Sequence, residues 1–444
     1  MKKIFFAGFV SSGFVFLSFF AHAQTSPKVS DTVLTDATLQ NCVQYALKHY
    51  PLVQQALLDE QITDRQIRGK LADWYPQLNF NYNYQYTFQL QTLSFGGNYT
   101  KTGVKNISGL GLGLTQNIFN RDVLLASRSA NDVRTQSKQT TTSDKIDIAV
   151  NVSKAFYDVL LTQKHIEVLN DDIVRLERNV KDTYNQYEGG LVDKTDYKRA
   201  TISLNNSRAE KKSSEESLKA KYAVLKQLMG YMGKEDLQLD YDSTQMEASV
   251  LIDTTAAVNY ESRIEYQYLL TQKKLQQVNL QYNKWSYLPT VSAFGNYNMN
   301  YLNNSFSDLY QKGFPYSYAG LQLSFPIFQG TKRVQNIRIA ALQVERVDWD
   351  LVELRNNISS QYAQALAAYK GYLNDYYILK DNLELARDVF NTIELQYKSG
   401  IKAYLELITA ETDLRTAQSN YNNALYQVLS SKLDVQKALG TIQY

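Results

Sequence analysis

With 444 residues and a 44 % hydrophobic content, the chain is long enough to bury a sizeable core. Its 47 basic and 44 acidic residues leave a net charge of +3, which supplies no electrostatic footprint for nucleic acid. Cys42 is the only cysteine, so an internal disulfide is excluded, and no His/Cys/Asp group has the spacing of a metal site.

Residues 1–23 read as a secretory signal. Lys2 and Lys3 form its basic start, Ile4 to Phe20 is mostly apolar, and Ala21-His22-Ala23 fits a small-x-small cleavage site. The run is also long enough for a retained anchor helix. Removing it lowers the net charge from +3 to +1. No other apolar run reaches the roughly 18 residues of a membrane helix. A mature chain that crosses a membrane therefore does so as a barrel.

Asp36 or Thr38 is placed to cap a helix whose apolar face is Leu39, Val43, Ala46 and Leu47, and Pro51 suits the first turn of a second helix reaching about Asp73. The period then changes. Leu78, Phe80, Tyr82, Tyr84 and Tyr86 alternate with Asn79, Asn81, Asn83 and Gln85, which predicts a half-buried strand over about 78–90. A polar loop at 91–106 leads to a second strand at about 107–119, where Leu110, Leu112 and Leu114 alternate with Gly109, Gly111 and Gly113.

A helical hairpin is expected over 121–230. Ile166, Leu169, Ile173, Leu176, Val180, Thr183 and Tyr187 alternate in steps of three and four, a coiled-coil seam that ends in a glycine turn, YEGGLVDKTD. The returning helix keeps the register weakly, as Tyr197, Ala200, Leu204 and Ser207, with Lys211 and Ser214 at places an apolar residue would fit. Asp171-Asp172 and Glu215-Glu216 read as solvated faces, because adjacent helical residues do not face each other.

After an irregular connector at 231–259, the pattern repeats over 260–444: a helix, strands at about 290–301 and 317–328, and a hairpin at 331–440. Phe294 interrupts the alternation of the first of these strands. The second seam runs Tyr376, Leu379, Leu383, Ala386, Phe390, Ile393, Tyr397, and its turn is YKSGIKAYLE, with Gly400 matching Gly190. Each long helix is free of proline and could reach about 100 Å. The first structural repeat is thus 24–230 and the second 260–444.

The strands total four, too few to close a barrel, and an open sheet with one aromatic and one Asn/Ser/Gly face leaves raw edges. Apolar-out with polar-in is the outer-membrane pattern, and several copies would have to join. A soluble sandwich with a buried aromatic face is the competing arrangement.

The doubled order, the Tyr75-Pro76 and Tyr287-Leu288-Pro289 joins and the two glycine tips together resemble the TolC-like outer-membrane efflux protein family over nearly all of the mature chain. The resemblance implies an α+β membrane protein. Four strands per protomer would contribute to a trimeric 12-stranded outer-membrane β-barrel, continued by a long α-helical periplasmic barrel. It implies a homotrimer in the outer membrane of a Gram-negative bacterium, extending into the periplasm and served by a periplasmic adaptor protein and an inner-membrane pump. The function implied is a passive exit duct for efflux or type I secretion, with no enzymatic activity and no cofactor.

In that family an Asp and a Thr after the first turn bond a Tyr before and an Arg after the second. Those places hold Thr195, Asp196, Tyr397 and Lys402, the last a Lys for Arg. Of two acidic residues at the tunnel's narrow end, Glu406 stands at the first place and Thr409 at the second. The tips Gly189, Gly190, Leu191 and Ser399, Gly400, Ile401 are the expected adaptor-docking sites. An exported structural or adhesive coiled-coil protein without channel activity is the other reading.

Overall fold

The computed structural model describes residues 37–232, 237–240 and 243–444; the signal segment lies outside the described residues. The chain opens with α1 (Leu39–His49) and α2 (Pro51–Ala72). Thr38 is the cap of α1, accepting from the Asn41 amide at 3.3 Å. β1 (Gln77–Tyr86), β2 (Gln91–Phe95), β3 (Asn98–Thr102) and β4 (Asn106–Phe119) follow, then the long α3 (Arg121–Glu188) and its return α4 (Lys194–Met229). A short α5 (Ser243–Ala248) lies in the connector. The second half repeats the plan with α6 (Ile264–Lys284), β5 (Thr290–Asn303), β6 (Gly313–Ser324), α7 (Lys332–Lys398) and α8 (Tyr404–Leu439). Among the described residues the molecule is mostly helical, with one four-stranded sheet and a two-stranded ribbon.

The ribbon was not expected: 91–106 reads as a loop. Its turn is Gly96-Gly97, both at positive φ (57° and 87°), a conformation glycine enters freely and one that matches the twist of a tight hairpin. The main sheet is antiparallel throughout, ordered β1-β4-β5-β6. β1 stops at Tyr86 rather than near 90. β6 spans Gly313–Ser324 instead of about 317–328; Pro326 has no amide to donate, so pairing cannot continue there. Pro315 is tolerated within β6 because that strand is an edge.

The register assigns each face. Asn81, Gly111, Asn298 and Tyr316 form one cross-strand row; Phe80, Leu112, Tyr297 and Ser317 form the next, on the opposite face. Phe294 falls on the Asn/Gly face, where its ring lies 6.1 Å from that of Tyr318. A Cβ at Gly320 would come within 3.0 Å of the Phe294 ring, so the missing side chain there makes room for the residue that breaks the alternation.

The main core sits part-way along the hairpins. Cys42 and Ala46 of α1, Val152, Phe156 and Val159 of α3, Leu225 and Met229 of α4, and Val428 and Leu429 of α8 pack there with Leu237, Met246 and Val250 of the connector. Tyr362, Tyr369 and Tyr376 recur every seven residues along α7 and bind the connector as a rail. Their hydroxyls donate to Ala256 O (2.8 Å), Val250 O (3.0 Å) and Glu247 Oε2 (3.5 Å). Glu247 also accepts from Lys380 and Tyr421, each at 2.7 Å. The Lys380 ammonium, and then the Tyr421 hydroxyl, hold its carboxyl below the usual range. The connector is thereby fastened to both helices of the second hairpin.

Candidate functional site

Two regions bear on function, the open sheet and the hairpin tips. In the sheet, Leu78, Phe80, Leu112, Leu114, Leu321 and Leu323 share one face, and all are exposed, Leu321 by 73 %. The other face is lined by Asn79, Asn81, Asn83, Asn296, Asn298 and Asn300 around the glycines of β4. Gly109 is boxed between Asn83 and Asn300, whose Oδ1 atoms would lie 2.4 and 3.2 Å from a Cβ built on it. Neither β1 nor β6 has a strand partner on its outer edge among the described residues. Such a sheet is apolar on one face, polar on the other and open at both edges. Open edges and a bare apolar face of this kind are sites where other surfaces pair or pack. Among the described residues no helix is long and apolar enough to cross a membrane.

The two tips are built alike. Gly190 and Gly400 take φ of 71° and 75°, and the amides of Leu191 and Ile401 reach back to Gln186 O (2.8 Å) and Gln396 O (2.9 Å). These are left-handed C-caps that satisfy the last carbonyls of α3 and α7. Gly189 and Ser399 precede them as the C-caps, at φ of −76° and −87°, and the Ser399 hydroxyl donates to Leu395 O at 2.9 Å. Leu191 (79 %) and Ile401 (71 %) are left projecting into solvent.

The four expected gate residues do not form one network within the chain. Thr195 is held locally: its amide and hydroxyl both donate to Asp193 Oδ1, at 2.8 and 3.0 Å, as part of the cap of α4. Lys402 donates to Glu406 Oε2 at 2.5 Å rather than to Asp196, because a partner four residues on, in the first turn of α8, is reached with less loss of side-chain freedom. Tyr397 donates to Gln186 Oε1 at 3.2 Å. Burial first, and then the Asp196 charge, push the Tyr397 hydroxyl pKa up. Gln186 was missed by sequence reasoning; its place one residue before Tyr187 in the seam carries no signal of a partner on α7.

Asp172 overturns its reading as a solvated face. It is 2 % exposed and takes a hydrogen bond from Arg175, whereas its neighbour Asp171 is exposed. Asp172 stands three residues after Leu169 of the seam, so it rides the edge of the packed stripe. The polar slip at Ser207 has the same origin. Ser207 is fully buried and accepts from Arg415 Nη1 at 2.8 Å.

The model of the family described as Outer membrane efflux protein matches residues 42–231 and 267–441. Outer membrane protein TolC of Vibrio cholerae serotype O1 is 23 % identical over 349 residues, covering 75 % of this chain and 76 % of that protein. TolC of Escherichia coli K12 is 22 % identical over 387 residues, covering 80 % and 75 %. Among solved structures, one of CusC, described as reviewing conformational changes that accompany folding and transmembrane channel formation, superposes with a TM-score of 0.73. It is 16 % identical and covers 95 % of each chain.

Proposed function

The chain belongs to the outer membrane efflux protein family, and on that premise we infer that it is the passive exit duct of a multi-component export system. It is an outer-membrane protein related to efflux channels. The observation that carries the finer reading is the four-stranded sheet with both edges open and its apolar face bare. Three copies joined β6 to β1 would close twelve strands, place Leu78, Phe80, Leu321 and Leu323 against lipid, and turn the Asn/Gly face into a hydrated lumen. The long hairpins α3/α4 and α7/α8 would continue that lumen below the membrane.

In this reading the exposed Leu191 and Ile401 tips dock a periplasmic adaptor that links the duct to an inner-membrane pump. A gate forms where Asp196, Tyr397 and Lys402 of neighbouring hairpins approach. Thr195 supports that gate only through the cap of α4, and Glu406 sets charge at the narrow end. The 1–23, 24–230, 231–259 and 260–444 division then corresponds to leader, first repeat, connecting belt and second repeat. An adhesive fibre would leave the bare sheet without a purpose.

The test is single-channel recording of the purified protein in planar bilayers. Discrete, long-lived conductance steps are expected, with cations preferred. Insertion without any current would remove the duct.

A further inference from the structure

The two hairpins meet along α3 and α8, and at one place in that seam the packing is ionic. Asp172 and Arg175 of α3 face Glu411 of α8; Asp172 is 2 % exposed and Glu411 5 %. Arg175 donates to Asp172 through Nη2, while its Nε stands 3.6 Å from Glu411 Oε1. The same guanidinium lies 4.9 Å from the centre of the Phe390 ring of α7. Arg415, one turn beyond Glu411, is engaged with Ser207 of α4. Neither oxygen of Glu411 accepts a hydrogen bond from a protein group, and the buried Tyr404 hydroxyl nearby on α8 makes none either. All four long helices therefore contribute to one buried cluster, and its central carboxyl faces Arg175 as an ion-pair partner, with no donor at hydrogen-bond distance among the described residues.

A buried carboxylate without a hydrogen bond is costly, whereas the neutral acid is not. Burial pushes the Glu411 carboxyl up to about 7; Arg175 and Arg415 oppose the rise and Asp172 adds to it. Asp172 is also pushed up, by burial first and by Asp171 last, against Arg175 and Arg415. The remaining neighbours are Phe390 and Tyr397 on α7, Ser207 and, nearer the tip, Asp196 on α4, and Tyr404 on α8.

We propose that this cluster is a proton-operated latch between the two hairpins: a proton on Glu411 keeps α8 seated against α3, and its loss loosens the seam and lets the tips part. The latch rests on the duct reading for its purpose, since it would make the tunnel open more readily as pH rises. The sign follows from linkage. The seated state binds the proton more tightly than a parted state in which Glu411 meets water. The bias toward seating is thus fully present below the ordinary value of 4.5 and is lost as pH rises to about 7.

The experiment is carried out on the detergent-solubilised full-length protein as a titration from pH 5 to pH 8, reading amide hydrogen exchange over residues 404–417, corrected for intrinsic rates, beside single-channel open fraction. Protection in 404–417 should fall at least about tenfold between pH 5 and pH 8, within the ceiling set by the rise of the Glu411 carboxyl from 4.5 to about 7. The open fraction should rise in parallel. Glu411→Gln, which keeps the shape and cannot ionise, should stay protected and flat across the range. Arg415→Gln removes a charge that opposes the rise at Glu411 and should move the midpoint to higher pH. Equal protection at pH 5 and 8 in the native protein overturns the latch. So does a Glu411→Gln protein that tracks the native one, or an unmoved midpoint in Arg415→Gln. Absence of current with the exchange pattern intact would sink the duct reading and leave the latch standing.

Discussion

Gly230→Ala is expected to destabilise the protein far more than Gly190→Ala, although both glycines hold the same left-handed backbone, φ 66° and 71°. At Gly190 a Cβ would meet nothing within 4 Å, so the cost is the conformational one alone, about 1–2 kcal/mol. At Gly230 the Cβ would lie 2.6 Å from His49 O and 2.9 Å from Tyr50 Cα, which are backbone atoms that cannot swing aside. Displacing them adds about 1–3 kcal/mol, as overpacking of a tight contact does. The joint between α1 and α2 would have to shift against the end of α4. Thermal unfolding followed by circular dichroism checks this: the midpoint of Gly230→Ala should fall well below that of Gly190→Ala. Equal losses would mean the close approach at His49 is unimportant. The second repeat makes the same contact less tightly, with a Cβ at Gly440 3.0 Å from Ser262 O, so Gly440→Ala should fall between the two.

The second large effect is expected at the proposed gate. Joint replacement of Asp196 and Lys402 by alanine should raise single-channel conductance several-fold over the native protein. Each partly exposed ionic contact is worth only about 0–1 kcal/mol, but a threefold assembly repeats it and an iris that closes by a small margin needs no more. Lys402 is shared: within the chain it is held by Glu406, so the double substitution also frees that carboxylate. Glu406→Ala acts in the opposite electrical sense. It leaves one uncompensated ammonium per chain at the narrow end and should weaken, or reverse, cation preference. Reversal potentials in a salt gradient read that change directly. If the double variant conducts like the native channel, closure lies elsewhere in the hairpins.

Much of the architecture was legible because its signals are local and periodic. Leu169 and Leu176 of the first seam are buried as their spacing demands, and Tyr376 and Phe390 of the second likewise. The alternation from Leu78 to Tyr86 gave the strand and both of its faces. What escaped depended on partners distant in sequence or on small turns. The β2–β3 ribbon hung on Gly96-Gly97, flanked by residues too polar to announce strands. Asp172 looked solvated because its burial is made by Glu411 and the helices around it, which no local window contains. The Lys402 contact went the other way. A distant partner was expected, and a neighbour four residues on took the charge.

In the duct reading one chain carries a third of a membrane wall and needs two more copies to close it. Static light scattering with refractive-index and absorbance detection, on protein extracted from outer membranes in mild detergent, gives the protein mass free of the micelle. A mass about three times that of one chain is the predicted result. A stable monomer would leave the edges of β1 and β6 unpaired and rule out the twelve-stranded wall.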